Sequence, residues 1–141
     1  MSKFKKNVCV VGASGLLGSN VLKEALARGY KVNGTLRDVN APGKATFLNA
    51  LPNAEANLRL FEAEMADKAS FDDAFSNVDC VFIACLIPVY KGPTGKPARE
   101  MDDEQGYAEI IMPTVNGCLN IMNAAAKQRV KNVVICSSTS S

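Results

Sequence analysis

Three glycines at intervals of three, in Gly12-Ala13-Ser14-Gly15-Leu16-Leu17-Gly18, carry the sharpest chemical signal in the chain. They follow the apolar run Asn7 to Val11 and open a segment with helical periodicity. In that setting Gly12 permits a tight turn. Gly15 lets backbone approach a pyrophosphate with no Cβ in the way, and Gly18 lets the helix lie close on the strand. Phosphates would then rest on the free N–H groups at the positive end of the helix. Ser14, Leu16 and Leu17 belong to the same turn and complete the expected dinucleotide-binding set.

Arg37 bears on which dinucleotide is held. An acidic residue at the end of a second strand bonds the ribose hydroxyls of NAD, whereas an arginine there accommodates the 2′-phosphate of NADP. The planar guanidinium offers paired donors for that phosphate. Lys44 is a second candidate cation, and NADP is therefore the expected cofactor. Asp38, next to Arg37, keeps NAD as the alternative.

Other chemistries find no support. The chain contains no histidine, which removes Ser-His-Asp and Cys-His catalysis and most metal sites within it. Its five cysteines, Cys9, Cys80, Cys85, Cys118 and Cys136, form no C-x-x-C pair. They read as buried, reduced thiols rather than disulfides or a zinc site.

These residues need a scaffold that alternates strands and helices. Asn7 to Val11 is nearly all apolar, as a strand covered on both faces should be. From Leu16 to Arg28, Leu17, Val21, Leu22, Ala25 and Leu26 share one helical face, and Gly29 is a stop. Strands follow at Lys31 to Leu36, Leu58 to Glu62, Asp79 to Ala84 and Asn132 to Cys136. Between them lie expected helices over Lys44 to Leu51, over Phe71 to Phe75 with Ser70 as its cap, and over Asp102 to Gln128. In the last of these, Ile111, Val115, Cys118, Leu119, Met122 and Ala126 share a face, and Pro113 must sit in the first turn or kink it. Pro88 to Pro97 reads as a loop. The alternation predicts an α/β, doubly wound parallel sheet of Rossmann type, in strand order 3-2-1-4-5. Its ligand crevice would lie at the C-terminal ends of strands one and four.

With 141 residues, 48% hydrophobic and 21% charged, the chain is expected to form a single dinucleotide-binding domain. A net charge of +2 gives no reason to expect nucleic acid or a membrane surface as partner. No run approaches the roughly 20 apolar residues of a membrane span, and a cytoplasmic location is the expectation.

The G-x-x-G-x-x-G spacing resembles the short-chain dehydrogenase/reductase superfamily, in its extended branch. Thr35-Leu36-Arg37-Asp38 is similar to the T-x-R-D of the dihydroflavonol reductase and cinnamoyl-CoA reductase group. Ala63 to Asp73, Pro113-Thr114-Val115-Asn116-Gly117 and Val133 to Ser138 continue the likeness. The resemblance implies that Glu64 and Met65 border the adenine, with Glu64 standing where the group has Asp. It also implies that Ala84 and Cys85 border the cofactor, although the group's His-x-Ala run is replaced by Ile83-Ala84-Cys85. Ser138 matches the catalytic serine that orients the substrate carbonyl. In such enzymes a tyrosine with a lysine four residues on donates the proton, and the nicotinamide delivers hydride. Tyr30, Tyr90 and Tyr107 are followed at that distance by Gly34, Thr94 and Ile111, so the pair is absent here.

The expectation is thus the nucleotide-binding part of an NADP-dependent reductase acting on a ketone or aldehyde of a small organic molecule. The chain is expected to be truncated after strand five, with the substrate-binding part elsewhere, and inactive alone. Two other functions are open: an NAD-dependent sugar-nucleotide epimerase, dehydratase or hydroxysteroid dehydrogenase of the same branch, and a non-catalytic NADP sensor. The helix over Asp102 to Gln128 pairs in dimers of the resembled family, which makes a homodimer one further expectation.

Overall fold

The computed structural model describes residues 6–85 and 91–137. Five parallel strands form one sheet: β1 (Asn7–Val11), β2 (Lys31–Leu36), β3 (Leu58–Glu62), β4 (Cys80–Ile83) and β5 (Asn132–Ile135). Their order is β3-β2-β1-β4-β5, as the alternation predicts. Val11 lies opposite Thr35 on one side and Ile83 on the other, and Ile83 lies opposite Ile135. The C-terminal ends of the strands are therefore level, and chain order reverses direction at β1.

Strand β1 shows why the run must be apolar throughout. Val8 and Val10 pack into one core with Leu22, Leu26, Val32 and Leu48. Cys9 and Val11 point the other way, into a second core with Phe71, Phe75, Val81 and Ile121. Successive side chains alternate across a strand, so a central strand between two helical layers has no polar face to offer.

Helix α1 (Leu16–Ala27) buries Gly18, Leu22, Ala25 and Leu26 against the first face. Leu17, expected on that buried face, is 45% exposed and turns towards the strand ends instead. The expected helix over Lys44 to Leu51 is shorter. It is α2 (Lys44–Asn49), and beyond Pro52 and the left-handed Asn53 (φ 66°) follows a further turn of helix not expected from the sequence, α3 (Ala54–Asn57).

The third connection departs further from expectation. Residues 68–77 form successive turns rather than a helix over Phe71 to Phe75. Ser70 does not cap a helix. Its hydroxyl donates to the carbonyls of Glu64 and Asp67 and accepts from the Glu64 N–H. Short polar side chains such as Asp67 and Ser70 bond the nearby backbone in place of a helical ladder. Phe71 and Phe75 still reach the core, with ring centroids 5.4 Å apart.

The long helical pattern forms in three joined pieces: α4 (Asp103–Gly106), a π-helical stretch (Tyr107–Ile111) and α5 (Met112–Lys127). Asp102 caps the first by accepting the Gln105 N–H at 2.8 Å. Pro113 sits in the first turn of α5 and has no N–H to give the preceding turn, so the register widens just before it. The face expected from Ile111, Val115, Leu119 and Met122 is exposed. The side of α5 that meets the sheet is instead Gly117, Asn120, Ile121, Ala124 and Ala125.

Of the Pro88 to Pro97 loop, residues up to 90 lie outside the described residues. The remainder closes on itself through a bridge between Lys91 and Pro97 and a hydrogen bond from the Gly92 N–H to the Lys96 carbonyl. All described cysteines are free, but only Cys9 is fully buried, so the expectation of buried thiols fails for Cys80, Cys85, Cys118 and Cys136. Among the described residues no helix is long and apolar enough to cross a membrane.

Candidate functional site

The glycine turn is built by two close backbone contacts. Gly12 has φ +78°, a conformation that side chains disfavour. It carries the chain sharply from β1 towards α1. A Cβ on Gly18 would lie 2.0 Å from the Gly12 carbonyl oxygen, so the helix can sit this close only without a side chain there. Gly15 differs from both. A Cβ on it would make an ordinary contact of 3.5 Å, and the residue is exposed. Folding does not demand glycine at this position.

Strand β2 holds the turn from the side. The Ala13 N–H donates to the Thr35 carbonyl at 3.0 Å, and the Gly12 N–H reaches the Thr35 hydroxyl at 3.4 Å. Helix α1 begins at Gly15 with no side-chain cap and no acidic residue in its first turn. Its positive end is left facing outward.

Above the strand ends lies a cleft of about 760 Å³. Its floor follows the switch point of the sheet, where open α/β folds place their ligands. Gly12, Ser14, Gly15, Leu16 and Leu17 form one wall. Arg37 stands at the end of β2, Glu64 and Met65 beyond β3, and Ala84 and Cys85 beyond β4. Leu16, at 86% exposure, is the most open large apolar side chain on the wall. Gly18 lies beneath the turn rather than on the cleft, as its packing role requires.

A second hollow of about 340 Å³ adjoins the first and shares Ser14 and Arg37 with it. Lys44, absent from the main cleft, lines this one together with Asp38. Arg37 and Lys44 are exposed and enter no ion pair among the described residues. Asp38 is engaged locally, its Oδ1 accepting the Asn40 N–H at 2.8 Å. Ser138 lies outside the described residues.

Three contributors escaped the sequence reading. Thr35 is 2% exposed and lines the cleft while holding the glycine turn; its position opposite Val11 could have revealed it. Asn120 is buried on α5 and donates to the Met65 carbonyl at 2.7 Å, fixing the segment beyond β3. A polar residue on the sheet-facing side of a helix is the signal for such a tether. Cys136 reaches the cleft from the end of β5. Among the described residues, no group of three or more His, Cys, Asp or Glu is placed to hold a metal ion.

Comparison with known proteins gives the same picture. Dihydroflavonol 4-reductase of Arabidopsis thaliana is 38% identical over 98% of this chain, which covers 34% of that protein. The chain thus spans about a third of the length of this curated relative. The crystal structure of vestitone reductase from alfalfa (Medicago sativa) superposes with a TM-score of 0.70 at 31% identity, covering 96% of this chain and 37% of that one. Gre2 of Candida albicans, in complex with NADPH, superposes at 0.68 with 26% identity, over 94% of this chain and 37% of its own. The likeness to dihydroflavonol reductases read from Thr35 to Asp38 and from Pro113 to Gly117 is thereby borne out. A family model described as NAD(P)H-binding matches residues 12–141, from the first glycine of the turn onward, and the chain belongs to that family.

Proposed function

We propose that this chain is the cofactor-binding part of an NADP-dependent reductase that converts a ketone or aldehyde of a small organic molecule to the alcohol. The observation that carries this reading is the pairing of the glycine-turn cleft with the Arg37 and Lys44 hollow beside it. A dinucleotide laid along the strand ends puts its pyrophosphate at the start of α1. Its adenosine ribose then falls near Arg37, where a 2′-phosphate meets two cations. Asp38, which would favour ribose hydroxyls, is already bonded to the Asn40 backbone. The NADPH bound by Gre2 supports the same choice.

The bound nicotinamide would supply hydride. The protein's part is to hold the phosphates on backbone N–H groups, to border the adenine with Glu64 and Met65, and to leave the ends of β4 and β5 facing the reacting ring. Ser138, two residues beyond Cys136, would orient the substrate carbonyl. The tyrosine and lysine for proton transfer, and the substrate-binding part, would come from the additional length that the relatives possess. The 141 residues alone should bind cofactor without turning over substrate. A cytoplasmic location fits this role.

Calorimetric titration tests the reading. NADPH should bind more tightly than NADH. Arg37→Ala should weaken NADPH about 10- to 100-fold, the loss of one charge-assisted contact of roughly 1.5–3 kcal/mol, and leave NADH nearly unchanged. Tighter binding of NADH would favour the NAD-dependent epimerase or dehydratase reading through Asp38. Binding of neither would reject the proposal.

A further inference from the structure

Two sulfurs meet the cleft from neighbouring strand ends. Cys85 follows β4 and Cys136 follows β5, and both line the cleft. The strands are in register there, and the Cys136 N–H donates to the Ile83 carbonyl at 3.0 Å. Both cysteines are half-buried. Cys85 also abuts the glycine turn: a Cβ placed on Gly12 would meet the Cys85 Cβ at 2.7 Å and its Sγ at 3.4 Å. Its backbone side is therefore filled by the turn, and its other flank packs on the second core. The cleft is open to atoms added at this residue.

We propose that Cys85 and Cys136 form a paired thiol site that captures small soft electrophiles of the α,β-unsaturated carbonyl class, and that capture and dinucleotide binding exclude one another. The inference rests on the cofactor reading above. In the capture step a thiol gives its proton to water. The sulfur lone pair forms an S–C bond to the β-carbon, the C=C π bond breaks, and the α-carbon takes a proton from water. No oxidant or reductant is needed. Burial above all pushes the Cys85 thiol up, and the neighbouring Cys118 and Cys136 add to this against a backbone hydrogen bond that lowers it. Capture at Cys85 is accordingly slower than at an open thiol.

Two of the remaining cysteines, Cys9 and Cys80, are internal controls. Cys9 is fully buried and should not react. Cys80 is half-buried at the start of β4, at the opposite end of the sheet from the cleft, and should react whether or not nucleotide is present.

The test treats the chain with N-ethylmaleimide, with and without saturating NADPH, and maps adducts by peptide mass. NADPH at ten times its dissociation constant should slow labelling of Cys85 and Cys136 by about tenfold, as it leaves about a tenth of sites open. Cys80 should be unaffected. Folded protein labelled at Cys85 and Cys136, checked by circular dichroism, should lose NADPH binding. A Cys85→Ala/Cys136→Ala variant, compared with its own untreated affinity, should be indifferent to the reagent. Unchanged NADPH affinity in fully labelled protein, equal protection of Cys80, or loss of binding in the treated variant would overturn the proposal. If the unlabelled chain does not bind NADPH, the cofactor reading falls and this inference falls with it. Binding that survives labelling rejects the inference alone.

Discussion

Gly12, Gly15 and Gly18 are expected from their places in the motif to do different work, and the structure gives Gly18 and Gly15 very different surroundings. Gly18 is required for folding, because a methyl group there would strike the Gly12 carbonyl. Gly18→Ala should cost about 3 kcal/mol through overpacking against rigid backbone. That corresponds to a fall of roughly 10 °C in thermal midpoint, measurable by calorimetry. Gly15→Ala should behave oppositely. It has room for a methyl and should lose only about 1 kcal/mol of stability as a poorer helix start. Its NADPH affinity should nevertheless fall tenfold or more, because the added carbon stands where phosphate would approach. A variant that binds normally would show that Gly15 does not face the ligand. The motif placed all three glycines at the turn with separate expected roles, and the close approach of helix to strand accounts for glycine at position 18 but not at position 15.

Elements were legible where a single periodicity governed them. Strands β1 and β4 and helix α1 came through because a central strand covered on both faces demands an apolar run, and α1 has one buried stripe. The segment between β3 and β4 was misread because Phe71 and Phe75 have helical spacing, while Asp67 and Ser70 bond the backbone locally and hold turns instead. Helix α5 misled for another reason. It carries two apolar faces, and the pattern of Ile111, Val115, Leu119 and Met122 is the more conspicuous one although the sheet receives Ile121, Ala124 and Ala125. The candidate site was legible at some strand ends, as at Arg37 and Cys85, but not at Thr35 or Cys136. It was unreadable where the contribution depends on tertiary contact. Asn120 is the instance: its amide crosses from α5 to the Met65 carbonyl. Asn120→Ala would leave that carbonyl without its partner. It should cost about 1–3 kcal/mol and loosen the cleft wall beyond β3. A lowered thermal midpoint together with weaker NADPH binding is the expected result. Reduced stability with unaltered affinity would mean that the Met65 wall is not used by the ligand.

For the molecule as a whole, apolar side chains stand uncovered on the outer row of α5 and on the edge strand β5, whose Val134 and Ile135 are half exposed on opposite faces of the sheet. Exposed apolar side chains of this number promote association, and an open strand edge adds unpaired backbone groups. The isolated chain should therefore bind an apolar dye and sediment as a mixture dependent on concentration. Leu119→Lys with Val134→Lys should reduce both effects while leaving the thermal midpoint within a few degrees. A clean monomer without dye binding would contradict this expectation; a defined dimer that the double variant dissolves would identify a second copy as the occupant. The opposite end of the molecule behaves differently. Because the Gly12 carbonyl and Gly18 leave no space between them, the glycine turn and the start of α1 move as one body. The amide groups aimed at a phosphate are already aligned when the ligand arrives, so little chain entropy is lost on binding there. The Ala13 and Gly15 amides, which donate to the Thr35 and Gly12 carbonyls, should exchange slowly even in the free protein, while amides left free for a phosphate should slow only when ligand covers them.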